Sequence, residues 1–128
     1  MREIKFKVLN KITGEILPVA NIDFKLKIVT VGGIADGVLG KIEFYSEWKF
    51  KNVELMEYTG VKDANGVEIY EGDILKTDDG YLAKVDFYDG EFKAIEDDVS
   101  LNLADYAISS SVVGNIYENP ELLNLKSN

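Results

Sequence analysis

"MEYTGVKDANGVEIYEGDIL", residues 56–75, decides how this chain is read. Asn65-Gly66 tolerates positive φ at both positions, the usual requirement of a tight turn. Glu71-Gly72-Asp73 makes a second turn. Here glycine permits the reversal, aspartate can cap the backbone, and Ile74-Leu75 leads an apolar pair into a core. The same acidic-glycine punctuation continues downstream, with Asp79-Gly80 before "YLAKVDFYD" and Asp89-Gly90 before "EFKAIE". Short β-rich segments separated by such turns predict a compact antiparallel sheet or small barrel. The stretch also raises a chemical question, because Asp63, Asn65 and Glu68 are oxygen donors. It lacks the ordered ligand series and terminal glutamate of an EF-hand, so the residues read as a corner of a β fold.

Towards the N-terminus, Ile4, Phe6 and Val8 alternate with Glu3, Lys5 and Lys7, the period of a half-buried strand. "NKITGE" supplies a turn. Beyond Pro18, "NIDFKLKIV" reads as one or two return strands with Ile22, Phe24, Leu26 and Ile28 on one face. "TVGGIADGVLG" reads as a glycine-rich loop; it has neither the Lys-Ser/Thr of a phosphate-binding loop nor dinucleotide-fingerprint spacing. "KIEFYSEWKFKN" is dense in β-formers and predicts a strand, with Trp48 and Phe50 on one face and Lys49 and Lys51 on the other.

Towards the C-terminus, "DDVSLNLADYAI" fits a loop, a helical turn or an irregular strand equally. "SSSVVGNIYE" restores strand character. "NPELLNL" can open a short helix with Asn119 as N-cap and Pro120 at the first position, and the last three residues are expected to fray.

Composition removes several function classes. The 128 residues contain no cysteine and no histidine, which excludes disulfides, thiolate zinc sites and cysteine nucleophiles, and takes away the commonest metal ligand and general base. Ser109, Ser110 and Ser111 therefore have no imidazole to activate them. No apolar run reaches the ~20 residues of a membrane-spanning helix, and "MREIKFKVLN" lacks a signal-peptide core, so a cytoplasmic protein is expected. The net charge of −9 is uneven. Residues 1–51 carry 9 Lys/Arg against 6 Asp/Glu, and the remainder 5 against 17, giving +3 and −12. Such polarity can orient a molecule on a charged partner or on a copy of itself. Direct binding of a phosphate backbone is disfavoured by the overall acidity.

The stretch "LMEYTGVKDANGVEIYEGDIL", followed some forty residues later by "VVGNIYENPELL", resembles the signature of the YopX-like family of phage and prophage proteins, and the opening "MREIKFKV" resembles that family's start. Val61 and Ala64 are the visible departures from the motif. The resemblance implies a phage-derived origin, a β-rich fold with an SH3-like barrel in the C-terminal part, and a family without an established biochemical activity. No catalytic residue and no cofactor carries over. In such a barrel, Gly72-Asp73 would open the first strand, which would lie beside the last.

The architecture expected is thus all-β: N-terminal antiparallel strands (residues 1–55) packed with a C-terminal SH3-like small barrel (56–118), then a tail (119–128). The function expected is that of a non-enzymatic accessory protein binding an unknown host or phage protein, with homo-oligomerisation possible. The candidate interaction surface comprises Asp78, Asp79, Asp97, Asp98, Trp48, Lys49 and Lys51. Three alternatives accompany it: nucleic-acid binding through Trp48, Lys49, Phe50 and Lys51 by base stacking, DNA mimicry by carboxylates arrayed like phosphates, and a carboxylate-dependent metal enzyme.

Overall fold

Eleven β-strands and two short helices make up the computed structural model, which describes residues 2–124. The chain is all-β. Its strands fall into two units, Lys5–Glu57 and Met1–Ile4 with Tyr58–Asn128.

The first unit is an antiparallel meander. β1 (Phe6–Asn10), β2 (Ile16–Asp23), β3 (Ile28–Gly37) and β4 (Gly40–Lys49) follow one another, and β1 pairs on its other side with the first half of β5 (Val53–Lys62). The hydrogen-bonded order is β4-β3-β2-β1-β5, which leaves β4 at the edge. The β1–β2 turn is built by Asn10, whose Oδ1 accepts from the backbone N–H groups of Ile12 and Thr13 at 2.8 and 3.1 Å. The β2–β3 turn repeats the device with Asp23, whose Oδ1 accepts from Lys25 and Leu26 at 3.0 and 2.8 Å. Val8, Val29, Val31 and Val53 form the core, with Leu17, Val19, Trp48, Phe50 and Leu55 packed against them.

Two readings of this half are corrected. Phe24 and Leu26 do not continue a strand face with Ile22 and Ile28; they lie in the Asp23 turn and are exposed. "TVGGIADGVLG" is not a loop, because Thr30–Gly37 belongs to β3 and pairs with β4 without a register shift down to Gly37↔Gly40.

β5 leaves the first unit at Glu57 and in the second pairs with β6 (Glu68–Tyr70). The remainder is a five-stranded antiparallel sheet of β7 (Asp73–Thr77), β8 (Leu82–Tyr88), β9 (Glu91–Glu96), β10 (Val99–Asn102) and β11 (Ser110–Asn115), in the order β10-β9-β8-β7-β11. The last strand therefore lies beside the first. The described ladder pairings run from β10 to β11, and the backbone N–H of Ala64 donates to Ser110 O of β11 at 3.0 Å. α1 (Leu103–Ala107) links β10 to β11 and buries Leu103, Tyr106 and Ala107, the i, i+3, i+4 stripe of an amphipathic turn. Asn102 caps it, accepting from Asp105 N–H at 3.0 Å. These side chains close over Ile69, Leu75, Ala83, Val85 and Ala94. Each large aliphatic fully buried here contributes about 1.5–3 kcal/mol relative to exposure. The ambiguous "DDVSLNLADYAI" thus resolves into a turn, β10 and α1. Asn119 and Pro120 precede α2 (Glu121–Asn124); the expected fraying of the last three residues falls outside the described residues.

The stretch at 56–75 forms a corner held by its own acids. Asp63 is buried, and its Oδ1 accepts from Asn65 N–H at 2.8 Å and Val67 N–H at 2.9 Å, shaping the turn that Gly66 (φ +81°) completes. Its Oδ2 accepts from Val112 N–H of β11 at 2.9 Å. Asp73, also buried, accepts from Tyr70 N–H at 2.8 Å and opens β7. Gly72 (φ +90°) donates to Val85 O and accepts from Ile116 N–H, both at 2.8 Å, under the ring of Tyr117.

Candidate protein-interaction arm

The longest hairpin of the chain is also its most exposed apolar feature. In the β3–β4 pair, even-numbered residues of β4 share a face with odd-numbered residues of β3: Trp48 opposes Val29, Phe44 opposes Gly33 and Ile42 opposes Ala35. At the base this face is core, since Val29 and Val31 are fully buried and Trp48 packs on them. Further along the hairpin the covering ends. Phe44 and Ile42 are exposed, and at the tip Val38 and Leu39 have relative exposures of 103% and 101%. An apolar stripe thus runs out of the core and finishes on two aliphatic side chains surrounded by solvent. Isolated exposed aliphatics are ordinary, but a contiguous run ending in such a tip is what protein-contact sites offer.

Glycines in the arm act through close approach. A Cβ on Gly33 would stand 2.3 Å from Cζ of Phe44, and one on Gly32 would stand 3.3 Å from Cε1 of Tyr45. Each ring lies across a glycine on its own face of the hairpin, replacing the side chain that the glycine lacks. Asp36 and Lys41, directly opposed, form an ion pair on the charged face. The signal for the arm was present in the strong β-formers of residues 42–48; the Gly-Gly pair obscured the strand that they needed opposite them.

The other predicted site residues are dispersed. Trp48 is half-buried and packs against the valine core. Phe50 starts a 3-10 turn (Phe50–Asn52) and packs on the core with its ring edge-on to Phe24, at 6.1 Å between centroids, so it does not share a strand face with Trp48. Lys49 and Lys51 are exposed and, with Leu26, Lys27, Ile28 and Phe50, line a shallow cleft of about 240 Å³ at the base end of β4.

Asp78 and Asp79 occupy the β7–β8 turn, and Asp97 and Asp98 the β9–β10 turn, where both have positive φ. All four are exposed. Because successive antiparallel connections alternate ends, these two turns share one end of the sheet. Asp97 and Asp98 rim a small cleft with Lys84 and Ile95. Among the described residues, no group of three carboxylates is placed to hold a metal ion, and no helix is long and apolar enough to cross a membrane.

Two titrating groups are shifted by their surroundings. Burial pushes the Asp63 carboxyl upward, but the N–H groups of Val112, Val67 and Asn65 outweigh it, and the net position is below the ordinary carboxylate value. Tyr106 is pushed well above the usual phenol range by burial, and by its hydrogen bond at 2.8 Å to Glu96 Oε2 and the charges of Glu96 and Asp97. Neither polar group was recognised in the sequence as a structural centre, because their partners lie on distant strands or across a helix.

What the fold defines is an all-β protein of antiparallel sheets with a projecting hairpin. The family described as YopX protein matches residues 5–124, and the chain belongs to that family. Its fold is similar to the crystal structure of protein EF1440 from Enterococcus faecalis, with 27% sequence identity, a TM-score of 0.72, and coverage of 96% of this chain and 99% of that one. The comparison with curated proteins finds no match.

Proposed function

We propose that this chain is a phage- or prophage-encoded accessory protein that works by binding another protein, without catalysis, in the bacterial cytoplasm. The observation that supports this reading is the β3–β4 arm, whose apolar stripe runs from the buried Val29 and Val31 to the fully exposed Val38 and Leu39. Leaving such side chains in water is unfavourable, and their burial against a partner contributes roughly 25 cal/mol per Å² of apolar surface. The test is affinity capture from the bacterial host with tagged wild type and a Val38→Ser/Leu39→Ser variant. A partner held by wild type and lost by the tip variant supports the reading; the same partners on both overturn the arm as the binding element.

A second reading, DNA mimicry through the acidic turns, draws on one observation: Asp78, Asp79, Asp97 and Asp98 belong to turns at the same end of one sheet. Changing all four to asparagine and repeating the capture tests it. Loss of a nucleic-acid-binding partner favours mimicry, and retention of that partner removes it.

A further inference from the structure

Resting on the reading of the arm as a binding element, we infer that its partner is a second copy of this chain, joined antiparallel along β4 with Phe44 opposite Phe44. β4 is the edge of its sheet, ten residues long, without proline and without a bulge in its pairing to β3. Gly40–Glu47 is exposed throughout. An uncovered edge of this length is a template for another strand, and a short, bulged or covered edge is the usual protection.

The charges on β4 select how two copies can meet. Apolar Ile42, Phe44 and Trp48 occupy even positions, and Lys41, Glu43, Tyr45, Glu47 and Lys49 occupy odd ones. A two-fold contact places residue i opposite j and j opposite i, and faces match only when even meets even. Centring the pairing on Tyr45 sets Lys41 against Lys49 and Glu43 against Glu47, all like-charged. Centring it on Glu43 opposes that carboxylate to itself. Centring it on Phe44 sets Lys41 against Glu47, twice by symmetry, with Glu43 against Tyr45 and Ile42 against Ser46. A centre at Ser46 also brings opposite charges together, Glu43 with Lys49, but pairs only Glu43–Lys49 where the Phe44 register pairs Gly40–Trp48. Opposite charges directly across an antiparallel pair stabilise it and like charges oppose it, so the Phe44 register is the longest that the charges favour. In it, Asp36, Lys41 and the second copy's Glu47 form a row of alternating sign across three strands.

A separate feature lands in the same register. With Phe44 opposite Phe44, Leu39 falls opposite Lys49 and Val38 opposite Phe50. That is where Leu26, Ile28 and Phe50 line the apolar cleft, with Lys27, Lys49 and Lys51 around it. Each tip therefore reaches the other copy's cleft, and the exposed tip and the apolar cleft cover one another, with lysine stems lying along them.

The test uses the full chain in sedimentation or light-scattering measurements over a concentration series into the millimolar range. Wild type is expected to dimerise. Lys41→Glu and Glu47→Lys each turn two symmetric attractions into repulsions and are expected to weaken the dimer roughly tenfold or more. An equimolar mixture of these two variants restores Glu–Lys pairs on both sides and is expected to dimerise again, which a damaged hairpin could not do. As a second measurement, the absence of native cysteine makes Phe44→Cys a clean probe: oxidation is expected to cross-link it to itself, and to cross-link Tyr45→Cys far less. Wild type that stays monomeric overturns the inference while leaving the arm's role with another protein to the capture experiment. A dimer indifferent to both charge reversals, or one that cross-links through Tyr45→Cys instead, also overturns it.

Discussion

The carboxylate of Asp63 receives the backbone N–H of Val112, 49 positions further along the chain, at 2.9 Å. The same side chain accepts from Asn65 and Val67, so one buried acid forms a turn and ties that turn to the last strand of the sheet. Replacing it by asparagine leaves one oxygen for the local turn and points an amide N–H₂ towards the Val112 donor. Asp63→Asn is therefore expected to cost about 1–3 kcal/mol, and Asp63→Ala more, in urea unfolding followed by far-UV circular dichroism. The pH dependence has a definite sign. The folded-state pKa is depressed below the reference 3.8, so the stabilisation from ionised Asp63 is present above that value and is lost as pH falls towards the folded-state pKa. The stability gap between wild type and Asp63→Asn should narrow as pH drops below 3.8; a gap that stays constant would show that the charge contributes nothing.

Two glycines in the same stretch separate backbone strain from crowding. Gly66 and Gly72 have φ of +81° and +90°, but a Cβ on Gly66 meets nothing within 4 Å, whereas one on Gly72 stands 3.0 Å from Cε2 of Tyr117. Gly66→Ala should cost roughly 1–2 kcal/mol, the penalty of a left-handed conformation for an L-residue. Gly72→Ala should cost more, and Gly72→Ala combined with Tyr117→Ala should cost less than the sum of the two single changes. Additive costs would mean that Tyr117 yields freely.

The corner and the arm were legible to different degrees for physical reasons. At Gly72-Asp73-Ile74-Leu75, turn chemistry and apolar pattern are local, and both point to a strand entering a core; the structure has Asp73 at the start of β7 with Ile74 and Leu75 fully buried. The role of Asp63 was hidden because its decisive partner is a backbone N–H far away in sequence, which no spacing rule reveals. Gly32-Gly33 misled in the opposite sense: glycine normally weakens a strand, and only the cross-strand rings of Phe44 and Tyr45 explain why it is used there. Trp48 and Phe50 were visible as residue types, but which face each would present depended on where β4 ended and the 3-10 turn began.

Tyr106 donates its hydroxyl hydrogen to Glu96 from the face of α1 that closes the second core. Tyr106→Phe keeps the ring and removes the bond, with an expected loss of about 1–3 kcal/mol at neutral pH because the acceptor is charged. Its phenol is held above the reference value of 10.0, so the unfolded chain releases this proton first as pH rises. The contribution is complete below pH 10 and is lost as pH climbs towards the folded-state pKa. Stability of the wild type should fall more steeply than that of Tyr106→Phe above pH 10, and ultraviolet titration of the seven tyrosines should lose a late-ionising component in the variant. Equal alkaline slopes would place the hydrogen bond outside the energetics of folding.

The arm separates folding from association within one hairpin. Val38 and Leu39 are fully exposed, whereas Trp48 on the same hairpin packs against the valine core. Val38→Ser/Leu39→Ser should leave the unfolding free energy of the monomer within about 0.5 kcal/mol of wild type, as for surface changes remote from structural contacts. Trp48→Ala should cost about 2–4 kcal/mol through lost packing. Denaturant unfolding at micromolar protein, read by circular dichroism because the variant removes the single tryptophan, compares the two directly. At higher protein concentration the order reverses in its consequence: the tip variant, with its fold intact, should lose any association that wild type shows. A tip variant that unfolds as readily as Trp48→Ala would mean that Val38 and Leu39 support the fold of the monomer, and their exposure would then cease to argue for a partner.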